Sequence, residues 1–318
     1  MIKSLKSNKI TIIFLLIIAI LFISNPTIYV NSCLSAVSVW STKVFPTLFP
    51  FFIITRLIVS LSEFRPNPLD KFFSKIYHTP TGSLNIFLLS AISGYPMGAK
   101  MISNLYDQKL ISTEDSKKML SFTSISGPMF MIGTIGVSVL GSFRAGLVIM
   151  ISNVLAGLIN GLLYRGYSNN KSIVSIKNQP KSNLISDTIY DSLNSILMVG
   201  AYIIVGFLLI QIIESTKILH TISSVFPNIC DGNVVSSILT GLIEITHGSI
   251  DLSTTSLSLV WKTMITSTMI AFGGLCILLQ SMSFIKQLNI PTKTLLLQKT
   301  TQALITFIIS LPLAFLIL

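Results

Sequence analysis

The sequence predicts an all-α polytopic membrane protein, with about seven transmembrane helices and two re-entrant hairpins set in an inverted repeat. Three observations carry this. Only 10% of the 318 residues are Asp, Glu, Lys or Arg, against about 25% in a soluble domain. The apolar fraction is 51% and the mean hydropathy +0.78, which leaves too little polar surface to cover a soluble fold. Third, one order of elements occurs twice: span, broken short hairpin, Gly-interrupted helix, closing span. At about 20 residues per crossing, the length allows at most seven or eight spans and short loops. A soluble enzyme is excluded.

The elements follow in order. Lys3, Lys6 and Lys9 precede an apolar run from Ile10 to Ile23. No small-x-small cleavage pattern follows at Ser24-Asn25-Pro26, so residues 1–30 read as an uncleaved N-terminal transmembrane helix ending near Tyr29. Val30–Leu61 is long for one crossing and contains Pro46 and Pro50. Proline removes a backbone hydrogen bond, so this stretch is either one bent helix or an interfacial helix, a loop at Phe45-Pro46 and a span. Leu69–His78 is amphipathic, with Lys71 and Lys75 opposite Phe72 and Phe73, and suits the membrane interface.

Leu84–Ile92 is too short to span at 1.5 Å per residue. Gly94-Tyr95-Pro96-Met97-Gly98 then breaks the helix, and a second short limb runs to Asp107-Gln108-Lys109. Such a hairpin has its tip within the membrane, where non-helical backbone survives only inside protein or along a wet cavity. Ser112 and Asp115 have capping-box spacing. They start a helix to about Gly141 that is interrupted at Ser126-Gly127-Pro128; Gly146–Tyr164 closes the half. The first repeat thus covers 31–165, with its hairpin at 82–108, and 166–183 is a polar linker.

The second repeat covers 184–318, with its hairpin at 232–253. It contains the span Ile185–Ile213 and the hairpin limbs of Val234–Ser253, broken near Glu244–Gly248. Leu257–Ile285 follows, interrupted at Gly273-Gly274, and then Thr294–Leu318. Ser90–Ser103 lies over Thr240–Ser253 when the halves are aligned. Interrupted segments in corresponding positions of two halves point to a transporter-like binding site.

Charge sets the orientation. The formal net charge is +11, but the positive residues sit in short segments between apolar runs, without acidic or basic tails, so nucleic acid is not an expected partner. With a cytoplasmic N-terminus, only Lys43, Arg144 and Lys217 fall clearly outside; Arg56, Lys262 and Lys299 lie within spans or near their ends, and the other Lys and Arg residues fall inside. This positive-inside bias makes the linker cytoplasmic, puts the C-terminus outside and inverts the repeats. Cys33, Cys230 and Cys276 have neither CxxC spacing nor a neighbouring His pair, so they read as inert thiols, and no metal or cofactor is expected.

Glu244 is the acid of most interest, because an ionisable group at membrane depth usually faces a cavity, an ion or a substrate. The structural alternative is a neutral carboxyl that only ties the hairpin tip. His247 has no second ligand at metal spacing, and Asp251 can cap a helix start at Ser253. Breaks at Gly94, Tyr95, Pro96 and Gly98, at Ser126, Gly127 and Pro128, and at Gly273 and Gly274 expose backbone groups that bind ions or polar solutes; close packing through small residues explains them equally well. Asn104, Asn153, Thr246, Gln280, Ser121, Thr123, Ser124 and Ser126 add hydrogen-bonding groups. A site of this kind favours an uncharged or zwitterionic polar solute. No HExxH, GxSxG, P-loop or CxxC motif is present, so the chain is not expected to be an enzyme.

The strings Ser93–Lys100 (SGYPMGAK), Ser126–Val137 (SGPMFMIGTIGV), Gly241–Gly248 (GLIEITHG) and Ala271–Gln280 (AFGGLCILLQ), with Lys43–Ile53, together resemble the sporulation integral membrane protein YlbJ family of endospore-forming Firmicutes. The resemblance covers nearly all of the chain from Lys43. It implies a nucleoside-recognition, or Gate, domain like that of concentrative nucleoside transporters, ferrous-iron transporters and spore maturation proteins. It also implies a multi-pass cell-membrane location and a role in spore formation, in cortex assembly. The expected function is a Gate-type transporter or channel for a small polar solute, with membrane lipid, further copies of the chain or other sporulation membrane proteins as partners. A non-transporting membrane scaffold for spore envelope assembly is the alternative.

Overall fold

A computed structural model describes residues 12, 16–61, 67–166, 183–216 and 232–318; the expected linker lies almost wholly outside them. Every extended element among the described residues is helical. Helix α1 (16–24) ends at Asn25, and α2 (Pro26–Val39) starts on a proline. Tyr29 therefore belongs to α2, not to the first span as expected. The physical reason is Pro26, which is pre-set for the first helical position and has no N–H to continue the helix before it.

No loop forms at Phe45-Pro46. Instead, α2 runs through a π-helical turn (Trp40–Val44) into α3 (Phe45–Leu61), with Pro50 inside the helix. The wider turn accommodates the proline that follows it, as π-bulges do in bent helices. Helices α2 and α3 pack on α9 (Leu184–Ser215). Trp40 fixes this contact: its Nε1 donates to Ile196 O at 3.1 Å.

The amphipathic helix α4 (Pro68–Tyr77) is capped by Asn67. Its buried Asp70 accepts from the backbone N–H of Gly82 (2.5 Å) and Leu84 (3.0 Å), which fixes the start of α5 (Ser83–Ser93). The chain then breaks over Gly94–Pro96 and resumes as α6 (Met97–Asp107). Helix α7 (Thr113–Thr123) opens on a complete capping box: Ser112 Oγ accepts from Asp115 N, and Asp115 reaches back to Ser112 N. Ser112→Ala is expected to destabilise the purified protein by about 1 kcal/mol, read as a small fall in melting temperature; no fall would show that the cap is redundant.

Residues 124–127 are non-helical. The run that follows is mostly π-helical (Phe130–Val139), which the sequence pattern does not predict, and leads to α8 (Phe143–Leu163). In the second half, α10 (Gly232–Ile243) and α11 (Ile245–Thr254) are parted by Glu244 alone. The break is narrower than the expected Glu244–Gly248, because Glu244 itself caps the new helix. Helices α12 (Leu259–Phe272) and α13 (Gly274–Ile285) meet at Gly273, and α14 (Thr292–Ile317) closes the chain.

Five segments among the described residues are long and apolar enough to cross a membrane: Pro26–Ile58, Phe143–Leu163, Leu184–Ser215, Leu259–Leu288 and Thr292–Ile317. The expected span at 112–141 is present as two limbs, each too short alone. Leu304, Ile308 and Leu316 on α14 are exposed, as befits a lipid-facing surface. Helix α8 packs against α12 and α14. The largest buried cluster joins Phe87, Ile102 and Phe122 of the first half to Ile285 and Leu295 of the second, so the two halves share one core.

Candidate functional site

In each half, the tip of the broken hairpin lies against the interruption of the helix after it. Gly94, at φ +72°, touches Gly127: a Cβ on Gly94 would overlap the Gly127 backbone. Gly274 lies under the tip of the second hairpin, near Gly241 O and Ile243 O. The limbs α10 and α11 cross so closely that a Cβ on Gly248 would run into the Gly241 backbone. The helix termini at these breaks leave backbone N–H and C=O groups without intrahelical partners.

Between the two arrangements lies a partly open cavity. Phe52, Met129, Phe130, Ile203 and Ile277 form much of its wall, and Cys276 is part of it. The polar groups are Ser93, Tyr95, Ser126, Glu244 and Thr246, at or beside the breaks, and Gln280 from within α13. A mostly apolar pocket with a few convergent polar groups is the usual form of a small-molecule site. Two of these groups have no hydrogen-bond partner among the described residues. Ser93 Oγ is buried and unbonded. The Gln280 side chain, 5% exposed, makes no hydrogen bond to the described residues.

Glu244 is 6% exposed. Its Oε2 accepts from His247 N at 2.7 Å and so caps α11, while the carboxylate also borders the cavity. The two readings of Glu244 are therefore not exclusive: the carboxylate ties the tip and faces open space. His247 turns aside. Its Nδ1 lies 2.8 Å from Asp251 Oδ2, and its ring packs edge-on against Phe207. Glu214, near the end of α9, is within electrostatic reach of both His247 and Asp251. Asp251 lies inside α11 rather than capping Ser253, because that helix runs on to Thr254.

Of the residues singled out from the sequence, Gly94, Tyr95, Ser126, Gly127, Glu244, Thr246 and Gln280 surround this cavity. Pro96 lines an adjoining space of about 430 Å³ with Arg56, Lys100 and Ser195. Gly98 is at the crossing of α6 with α5 and α7, where Ser90 Oγ and Thr123 O leave no room for a side chain. Pro128 heads the run after the first interruption, and Gly273 and Gly274 form the second. Asn104 is exposed on α6, and Asn153 bonds Ser267 between α8 and α12; neither reaches the cavity.

The sequence reading missed two cations. Arg56 donates to Ser195 Oγ at 2.5 Å and lies 3.5 Å from Asp191. Lys299, on α14, is buried and reaches Tyr95 and the carbonyl of Ser124. The charge pattern places both within spans or near their ends, but only the folded chain shows what they face. Glu244 lines the cavity itself, while Arg56 and Lys100 line one neighbouring space and Lys299 another. Among the described residues, no group of three or more His, Cys, Asp and Glu side chains is placed to hold a metal ion.

The chain is 25% identical, over 91% of its length, to the sporulation integral membrane protein YlbJ of Bacillus subtilis (strain 168), of which it covers 78%. The match supports the YlbJ family. Together with the apolar helices it supports a multi-pass membrane protein. For this YlbJ-like chain no protein-family model matches, and no solved structure matches either.

Proposed function

We propose that the chain is a Gate-type transporter or channel for a small polar solute needed in spore formation, in building the cortex. One observation carries this: both hairpin tips and the first helix interruption, with the helix that follows the second, surround one cavity in which the side chains of Ser93 and Gln280 have no hydrogen-bond partner among the described residues. Buried polar groups are normally hydrogen-bonded, and a solute supplies what Ser93 and Gln280 lack. In this reading seven spans and two re-entrant hairpins form an inverted repeat within the cell membrane, with the N-terminus in the cytoplasm and the C-terminus outside. Access alternates as one half rocks against the other. The role in sporulation rests on the likeness to YlbJ.

The test is uptake by proteoliposomes from a panel of nucleosides, amino acids, carboxylates and cell-wall precursors. Gln280→Leu is expected to reduce uptake of the transported compound more than tenfold. It removes no hydrogen bond among the described residues, so its stability should stay within about 1 kcal/mol of the parent. Unchanged uptake by this variant would refute the cavity as the binding site. No uptake of any compound by the parent would favour the scaffold.

A further inference from the structure

Lys299 has an environment unlike that of a salt-bridged lysine. The side chain is 5% exposed, seven residues into α14. Among the described residues, no carboxylate is within salt-bridge distance of it. Its Nζ instead meets three neutral oxygens: Ser124 O at 2.8 Å, Gln302 Oε1 at 2.8 Å and the hydroxyl of Tyr95. An ammonium has three donors and no acceptor, so the three acceptors match it one for one. Tyr95 can accept here because its own proton goes to Ser124 O at 2.6 Å.

Two further details point the same way. Ser124 is the C-cap of α7, and a helix C-terminus carries partial negative charge. Gln302, 1% exposed, has its Nε2 buried and unbonded. Lysine offers no acceptor, so the amide must turn its oxygen towards Nζ and leave its own donor unsatisfied. This is the donor set of an alkali-cation site: a helix-end carbonyl, an amide oxygen and a hydroxyl, all neutral and all converging. Hard monovalent cations are held by such oxygens. The cage draws Tyr95 and Ser124 from the first half and Gln302 from the second. It adjoins an open space of about 430 Å³.

We propose that Lys299 is a tethered cation occupying a monovalent-cation site, and that the emptied cage binds a potassium-sized ion. A chain that carries its own cation needs none from the medium at this position. The inference is independent of the transporter reading, because it is read on purified protein without any solute.

The experiment measures melting temperature for the full chain in detergent. The media are potassium, rubidium, sodium or choline chloride at equal ionic strength, with ethylammonium chloride as a further arm. The parent is expected to show no difference among the salts. Lys299→Ala, and Lys299→Met, which keeps an apolar stem, are expected to be destabilised in choline. Potassium or rubidium should raise their melting temperature by about 5 °C when present well above the dissociation constant. Ethylammonium should restore Lys299→Ala more than Lys299→Met, because only alanine leaves room for its carbon chain. Folding of either variant in potassium but not in choline supports the proposal equally. An equal cation-specific rise in the parent overturns it, as does the lack of any cation-specific effect in both variants, including failure to fold in every salt.

Discussion

Glu244→Gln is expected to abolish function while leaving the protein in the membrane. Expressed in an endospore-forming host without its own YlbJ-family protein, the variant should lower the yield of heat-resistant spores by orders of magnitude, with membrane abundance near that of the parent. The substitution is informative because of what it retains. Gln keeps an oxygen that can accept from His247 N, so the start of α11 loses at most about 1 kcal/mol. It also keeps the volume, and Gly206, packed against the Glu244 stem, keeps its neighbour. The charge is lost and one acceptor oxygen becomes an NH2 donor, so a hydrogen bond with Thr246 must rearrange too, at a 6% exposed position on the cavity wall. Glu244→Ala is the contrasting variant, since it also removes the cap and should lower abundance. Normal spore yields from Glu244→Gln would reduce Glu244 to a helix cap.

Gly94→Ala is expected to destabilise the chain by about 3 kcal/mol, through two additive effects. At φ +72° and ψ −166°, a region essentially confined to glycine, an alanine is strained by about 1–3 kcal/mol. Its methyl group would also overlap the backbone of Gly127, and backbone does not yield as a side-chain end does. Overpacking of this kind costs about 1–3 kcal/mol. Gly141→Ala is the control: its φ is similar, at +67°, but nothing lies within 4 Å of the added carbon, so only the strain applies. Melting temperatures of the two purified variants check this. Equal losses would show that the contact between the hairpin tip and the helix interruption contributes nothing to stability.

The features legible in the sequence were those with a local physical cause. Ser112 and Asp115 announce a helix start whatever surrounds them. Gly94-Tyr95-Pro96 and Gly273-Gly274 break any helix, so the order of the elements and their doubling could be read directly. Glu244 stood out because acids are rare in this chain. The missed features depend on packing between distant segments. The π-helical run Phe130–Val139 looks like any apolar helix; close contacts such as Gly136 on Gly146 are invisible in one dimension. His247 and Glu244 are neighbours in sequence, yet one faces Asp251 and the other the cavity. Lys299 looked like a residue near a helix end, because its partners lie about 175 and 204 positions away.

Helix α9 passes the whole site. Ser195, bonded to Arg56, and Glu214, beside His247 and Asp251, are separated by about 28 Å of helix, close to the hydrocarbon thickness of about 30 Å. Val199, Tyr202 and Ile203 line the cavity between them. A membrane potential falls across dry protein rather than across water, so wherever the cavity is wet the voltage is concentrated on the thin partition that closes it. One elementary charge taken through 100 mV changes energy by about 2.3 kcal/mol. A charged solute held near Glu244 would therefore feel most of the membrane voltage in one short movement, and the rate of its crossing would depend on voltage as well as on concentration.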